Sequence, residues 1–276
     1  MAVGVVVLLA VVLLAVSALG GSGTQHVAGA TSGRSPAPAS VVGQVTGVSQ
    51  SLADGIGVGG DVVAPKVLQG EPALAYDGKP GVLYIGAEFC PYCAADMWPM
   101  IVALSRFGTF SDLKLTTSSA WDVHPSTATF SFYGAHYVSR YIELQSVEQA
   151  SDEPGLDGRY VPLEHATPAQ EALLQRYDVP PYVAPQGARG IPFILIGQRY
   201  MWSGSPFSPE LLANRSQAGI AAGLPGGTDE AARAILVNGN EFTAAICVVT
   251  RNQPADVCSD PVIQHAIAAL PTKPPS

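Results

Sequence analysis

The stretch Gly81-Val82-Leu83-Tyr84-Ile85-Gly86-Ala87-Glu88-Phe89-Cys90-Pro91-Tyr92-Cys93 decides how this chain is read. Its first half is apolar without polar alternation, the pattern of a strand buried on both faces, here Val82–Ala87. Its second half is a C-x-x-C motif. Beyond it Ala94, Met97, Trp98, Ile101 and Leu104 recur at three- and four-residue steps, one face of a helix over Pro91–Phe107. Pro91 suits the first helical turn, whereas Pro99 is expected to kink the helix. Two-cysteine redox chemistry needs this arrangement. Cys90 would lie at the helix N-terminus, where unpaired N–H groups and the helix dipole stabilise a thiolate. Cys93 would lie one turn along, placed to resolve a mixed disulfide. A zinc knuckle and a structural disulfide use the same spacing. Zinc needs two more well-spaced ligands, and neither Cys247 and Cys258 nor any nearby histidine supplies them.

Working outward, the 276 residues allow one large or two small domains, and an apolar fraction of 47% is ample for a core. The formal net charge of −8 argues against nucleic acid, which calls for a basic stripe. Residues 1–19 are almost entirely apolar and read as a signal anchor or a signal peptide. No Lys or Arg precedes them, and Ala15-Val16-Ser17 is not a clean cleavage site. Residues 20–60, rich in Gly, Ser, Ala and Pro, read as a flexible linker. Gly55, Gly57 and Gly60 match a dinucleotide fingerprint by letter, but they follow no strand and are read as composition.

Within the folded part, a short strand is expected at Asp61–Leu68 or Ala73–Tyr76, before the turn Asp77-Gly78-Lys79-Pro80. Leu113–Thr117 is read as the next strand, and Thr127–Gly134 with Tyr137–Val147 as an added β-hairpin or meander. Thr167-Pro168-Ala169-Gln170 is a capping box opening a helix to about Tyr177. Ile191-Pro192 leads a hairpin of Phe193–Ile196 and Arg199–Ser203, turning at Gly197-Gln198. Helices are then expected from Ser208-Pro209, over Asp229–Val237, over Phe242–Thr250 and over Pro261–Leu270. A proline leading a central strand removes a ladder donor. Either a cis bend beside the site or a trans proline ending a loop fits Pro192. In the cis form, the carbonyl and N–H of Ile191 stay free to pair with an extended substrate.

The order strand, C-x-x-C, helix, strand, inserted segment, Pro-led hairpin and helix resembles the thioredoxin fold, and Cys-Pro-Tyr-Cys resembles the glutaredoxin motif. Within that superfamily, Tyr84 to Ala95 and Thr129-Phe130-Ser131-Phe132-Tyr133 are most similar to domain-of-unknown-function family 929, a prokaryotic group with a thioredoxin-like core. The resemblance implies a cis Pro192. It also implies an α/β, thioredoxin-like domain over 61–219, with an insertion at about 120–180 and a helical extension over 220–276. One departure stands out. Thioredoxins keep an acid on the strand before the dithiol, where this chain has Tyr84. Glu88 becomes the candidate proton relay, with an exposed rim residue as its other reading.

The expected function is extracytoplasmic thiol–disulfide exchange with protein substrates, Cys90 as nucleophile and Cys93 as resolving cysteine, with Pro91, Tyr92, Ile191 and Pro192 binding substrate. No cofactor or metal is required. Expected partners are protein thiols or disulfides of the cell envelope and a membrane redox partner, with the chain held at the cell membrane by its N-terminal segment or secreted if cleaved. Cys247 and Cys258 are expected to form a structural disulfide, with a redox relay or free thiols as alternatives. His124, His136, His165 and His265 are read as surface or strand-filling, and Trp98, Trp121 and Trp202 as core or rim aromatics. The other classes of function left open are a non-catalytic envelope binding module and a Cu(I) or Zn(II) metallochaperone.

Overall fold

The computed structural model describes residues 33–48, 63–68 and 72–275. In chain order, β1 (Ser35–Pro36) and α1 (Ala39–Thr46) precede β2 (Lys66–Val67), β3 (Ala75–Tyr76) and β4 (Lys79–Gly86). The dithiol helix α2 (Pro91–Leu104) is followed by β5 (Gly108–Ser111), β6 (Lys114–Thr117), β7 (Ala128–Ser131) and β8 (His136–Ser139). Then come β9 (Glu143–Glu148), β10 (Ala150–Pro154), β11 (Tyr160–Pro162) and α3 (Pro168–Tyr177). The hairpin β12 (Phe193–Ile196) and β13 (Tyr200–Ser203) leads into α4 (Gln217–Gly223), α5 (Glu230–Val249), α6 (Ala255–Cys258) and α7 (Pro261–Ala269).

A mixed sheet centred on β4 organises this α/β architecture. β12 runs antiparallel to β4, with Phe193 opposite Ile85, and β13 and β2 extend that side. β9 runs parallel to β4, with Gly86 opposite Glu148. Side chains alternate across the sheet, as strand geometry requires. Val82, Tyr84, Ile194 and Trp202 face the larger core with α2 and α5. Leu83, Ile85, Phe193 and Leu195 face a second core capped by Leu174 and Tyr177 of α3. α3 opens with the expected capping box: Thr167 Oγ1 accepts from the Gln170 N–H, and the Gln170 side chain accepts from the Thr167 N–H.

The structure corrects several expectations. Leu115 lies in a separate small sheet, β1–β6–β7, and β9 is the strand that follows α2 in the central sheet. The stretch 120–180 is therefore not one inserted block, because it supplies both β9 and the covering helix α3. Alternating apolar and polar residues over Tyr137–Val147 suggested one strand of an added hairpin or meander, but Arg140 to Ile142 divide it into β8 and β9, and β8 pairs with β5. Residues 33–48 do not act as linker. Val41 and Val45, one turn apart on α1, are buried in the core, and β1 pairs with β6. The expected anchor at 1–19 and the rest of the linker lie outside the described residues.

The helices expected over Asp229–Val237 and Phe242–Thr250 are a single helix, α5. Asn238-Gly239-Asn240 is a poor helical triplet by propensity. Packing overrides it, because α5 crosses α2 at Gly239, where a Cβ would press to 3.0 Å from Val102 Cγ1. The region 220–276 is thus part of the main core rather than an appendage: α5 lies on α2, and α7 lies on α5. α5 is long and apolar enough to cross a membrane by length and composition, but 67% of its most apolar window is buried inside the fold. The helix expected at Ser208-Pro209 is a short 3-10 turn over Pro209–Leu212.

Candidate functional site

Three strand ends converge on the dithiol. β4 ends at Gly86. Antiparallel pairing brings the start of β12 to it, and parallel pairing brings the end of β9. Cys90 caps α2 in an extended conformation (φ −80°, ψ 120°), and Pro91 takes the first helical position. This geometry leaves the Cys93 N–H pointing at Cys90 Sγ, 3.4 Å away. The Cys90 thiol in turn lies 3.9 Å from the Ile191 carbonyl, and the Ile191–Pro192 peptide is cis. Cys90 is 6% exposed and Cys93 2%.

The two sulfurs have opposite acidities. Interaction with the Cys93 thiol lowers the Cys90 pKa most, backbone N–H groups of Cys93 and Tyr92 lower it further, and burial opposes them. Burial raises the Cys93 pKa well above the ordinary thiol range, and the neighbouring Cys90 and Glu148 charges raise it more. Cys90 is therefore the sulfur suited to attack, and Cys93 the one that keeps its proton.

Beneath the dithiol is a buried group of acids. Glu148 follows from the register of β9 against Gly86, and burial pushes its carboxyl up to about 8. Its Oε1 accepts from the Phe132 N–H at 3.3 Å, and its Oε2 has no hydrogen-bond partner among the described residues. Asp96, one turn beyond Cys93 on α2, is 0% exposed with neither oxygen hydrogen-bonded among the described residues. Burial holds its pKa well above the usual carboxylate range, with the Cys90 charge adding to the shift. The Tyr84 hydroxyl sits over Gly86, where a Cβ would overlap it. Burial and then the Cys93 charge raise its pKa as well.

Glu88 is not an exposed rim residue. It is 4% exposed, accepts from Ser131 Oγ at 2.5 Å and pairs with Arg34 at 2.6 Å. Burial still raises its pKa, against the opposing pull of Ser131 and Arg34. With both oxygens occupied, it is a poorer proton relay than Glu148. Of the residues expected to meet substrate, Tyr92 is exposed and Ile191 half-buried, while Pro91 and Pro192 are buried. His124 touches the Tyr92 ring edge-on at 5.9 Å. Cys247 and Cys258 form a disulfide with Cα atoms 5.6 Å apart. Among the described residues, no group of three or more His, Cys, Asp or Glu side chains is arranged to hold a metal ion.

Sequence reasoning missed Glu148, Asp96 and Arg34. Asp96 had a signal, being the single charged residue in Pro91–Leu104. Glu148 had none, because only the β4–β9 register carries it to Cys93. Arg34 had none either, lying in a stretch without other charge. No curated protein and no solved structure matches the chain. A family model matches residues 66–248, the span holding β4, the dithiol, Glu148 and the Pro192 hairpin, and the chain belongs to the family described as Domain of unknown function (DUF929).

Proposed function

We propose that this protein is a thiol–disulfide oxidoreductase with a thioredoxin-like core, acting on protein thiols or disulfides outside the cytoplasm. The observation that carries the reading is the split in acidity between two adjacent sulfurs, Cys90 lowered and Cys93 raised, with the Cys90 thiol against the Ile191 carbonyl. The succession of β4, dithiol helix, parallel β9, covering α3 and Pro192-led hairpin supports the fold assignment. The Cys247–Cys258 disulfide supports an oxidising compartment, since such bonds are rare where thiols are kept reduced. On this reading residues 1–19 carry the domain to the cell membrane or direct its secretion.

In the reducing direction, the Cys90 thiolate attacks one sulfur of a substrate disulfide. A Cys90–substrate bond forms, and the other substrate sulfur leaves as a thiolate that takes up a proton. Cys93 then gives its proton to the Glu148 carboxylate and attacks Cys90 Sγ. The Cys90–Cys93 bond forms, the second substrate thiol is released, and two electrons have passed to the substrate. In the oxidising direction the steps reverse: a substrate thiolate attacks Cys90, and Cys93 departs as a thiolate that Glu148 reprotonates. A Glu148 pKa of about 8 suits both roles, because both its forms are populated near neutrality. The Ile191 carbonyl and N–H offer strand-like pairing to the substrate segment.

Trapping tests the reading. A Cys93→Ala variant of the full-length chain, incubated with a disulfide-bonded protein, is expected to accumulate a mixed disulfide at Cys90 that dithiothreitol releases. Absence of that adduct by mass spectrometry, with Cys90 still alkylatable, would refute the reading.

A further inference from the structure

The residues around Cys90 rest on different segments added to the central sheet. Phe89 stacks on Tyr160 of β11 with centroids 4.3 Å apart, and Tyr92 rests on His124 of the β6–β7 connection. That connection presents Trp121 at 73% and Val123 at 72% exposure, next to Tyr92 at 41%. It is not a loose tip. Ser119 donates its N–H to the Phe89 carbonyl at 2.9 Å, and the Ser126 N–H reaches the Ser119 carbonyl at 3.2 Å. Ser118 Oγ and Thr127 Oγ1 both donate to the His124 carbonyl, each at 2.9 Å. The Trp121 N–H donates to Ser119 Oγ at 3.2 Å.

A framed loop that holds an indole and an isopropyl group out into water gains no burial from the fold. Covering such pre-ordered apolar groups costs little further entropy, which is how aromatic anchors concentrate binding energy. On the Ile191 side of the dithiol runs a cleft of about 1180 Å³, lined among others by Tyr92, Val183, Ile191, Phe207 and Leu211. Small-molecule sites run to roughly 300–1,000 Å³, so this cleft has room for a chain segment. Tyr92 and His124 both line this cleft and touch each other, so the loop that carries Trp121 and Val123 borders the cleft beside the first turn of the dithiol helix.

We propose that Trp121 and Val123 form a docking lip for a polypeptide partner, whose cysteine-bearing segment lies along Ile191 while a neighbouring apolar side chain covers the indole. The inference rests on the thiol–disulfide reading with its polypeptide substrates and adds the surface that favours them over a low-molecular-weight thiol. In the exchange, a polypeptide thiolate attacks Cys90 of the Cys90–Cys93 disulfide and Cys93 leaves. A second polypeptide thiol then displaces Cys90, so the polypeptide is oxidised and the dithiol reduced.

The test uses the full-length chain in its disulfide form and compares two reductants, reduced unfolded ribonuclease A and dithiothreitol. In the Trp121→Ala/Val123→Ser variant, the ratio of the polypeptide rate to the dithiothreitol rate is expected to fall roughly tenfold, carried by the concentration dependence of the polypeptide reaction. Trp121→Phe is expected to restore most of the ratio, since an aromatic face remains. An unchanged ratio overturns the docking lip, whether the two rates stay constant or fall together. Failure of the unaltered protein to exchange with either thiol overturns the redox reading, and this inference with it.

Discussion

The chain carries two cysteine pairs in opposite settings. Cys247 and Cys258 are both 0% exposed, join α5 to α6, and lie among Ile246, Val257, Ile263 and Ala266. Cys90 and Cys93 are free thiols of nearly the same burial, yet their neighbours are a helix N-terminus, a carbonyl edge and the buried carboxyls Asp96 and Glu148. Burial alone therefore does not separate a bonded pair from a free one. What separates them is how the surroundings respond to charge: the aliphatic groups around the first pair offer a thiolate no support, whereas the second has N–H groups for one sulfur and a proton acceptor for the other.

The most decisive way to break this comparison is to exchange the roles of the pairs. Cys90→Ser is expected to abolish disulfide exchange, while Cys247→Ala/Cys258→Ala retains it, both read by turnover of a disulfide-bonded protein. Loss of exchange in the second variant, with the fold intact by circular dichroism, would make the α5–α6 pair part of the electron path.

Next in size is Glu148→Gln, which is expected to slow the Cys93 step by roughly 10²-fold, a typical value for lost proton transfer. It should also remove the limb of the pH–rate profile near 8, where Glu148 titrates. The same carboxyl governs stability with a definite sign. Its folded pKa of about 8 exceeds its ordinary value of 4.5, so the stability it contributes is full below about 4.5 and lost as pH rises through about 8. Denaturant titrations at pH 5 and pH 9 should therefore show Glu148→Gln gaining stability relative to the parent at the higher pH only.

A third test sharpens the structural side. Removing the Cys247–Cys258 bond should cost about 2–3 kcal/mol of folding stability by loop closure, seen as a lower denaturation midpoint. The smallest effect is a shift in midpoint. Alkylation of the reduced protein by iodoacetamide should label Cys90 with a midpoint below the ordinary thiol range and leave Cys93 unlabelled until the protein unfolds.

The strand and motif from Gly81 to Cys93 were legible because a continuous apolar run and a C-x-x-C are local signals. The capping box at Thr167 and the hairpin around Gly197 were legible for the same reason. The acids under the dithiol were not. Glu148 reaches Cys93 only through a parallel pairing between residues far apart in sequence, and parallel register leaves no turn signature. α1 was hidden because eight uncharged residues with two valines on one face look like linker until the core they enter is known. Trp121 was read as core or rim; its exposure depends on a loop frame made of Ser and Thr hydroxyls, which composition does not reveal.

The Arg34–Glu88 pair has a practical consequence. Gly33 donates its N–H to an Asp152 carboxylate oxygen at 2.8 Å and Arg34 holds Glu88, so the chain enters the described fold at the sulfur end of the sheet. Thr272 lies at the other end, lining one cleft with Lys79 and Gly197. A tag, bead or surface joined behind Thr272 leaves the approach to Cys90 open, whereas one joined immediately ahead of Gly33 crowds it. The site of attachment then becomes a filter on partner size, set by where the polypeptide is moored rather than by the chemistry of its sulfurs.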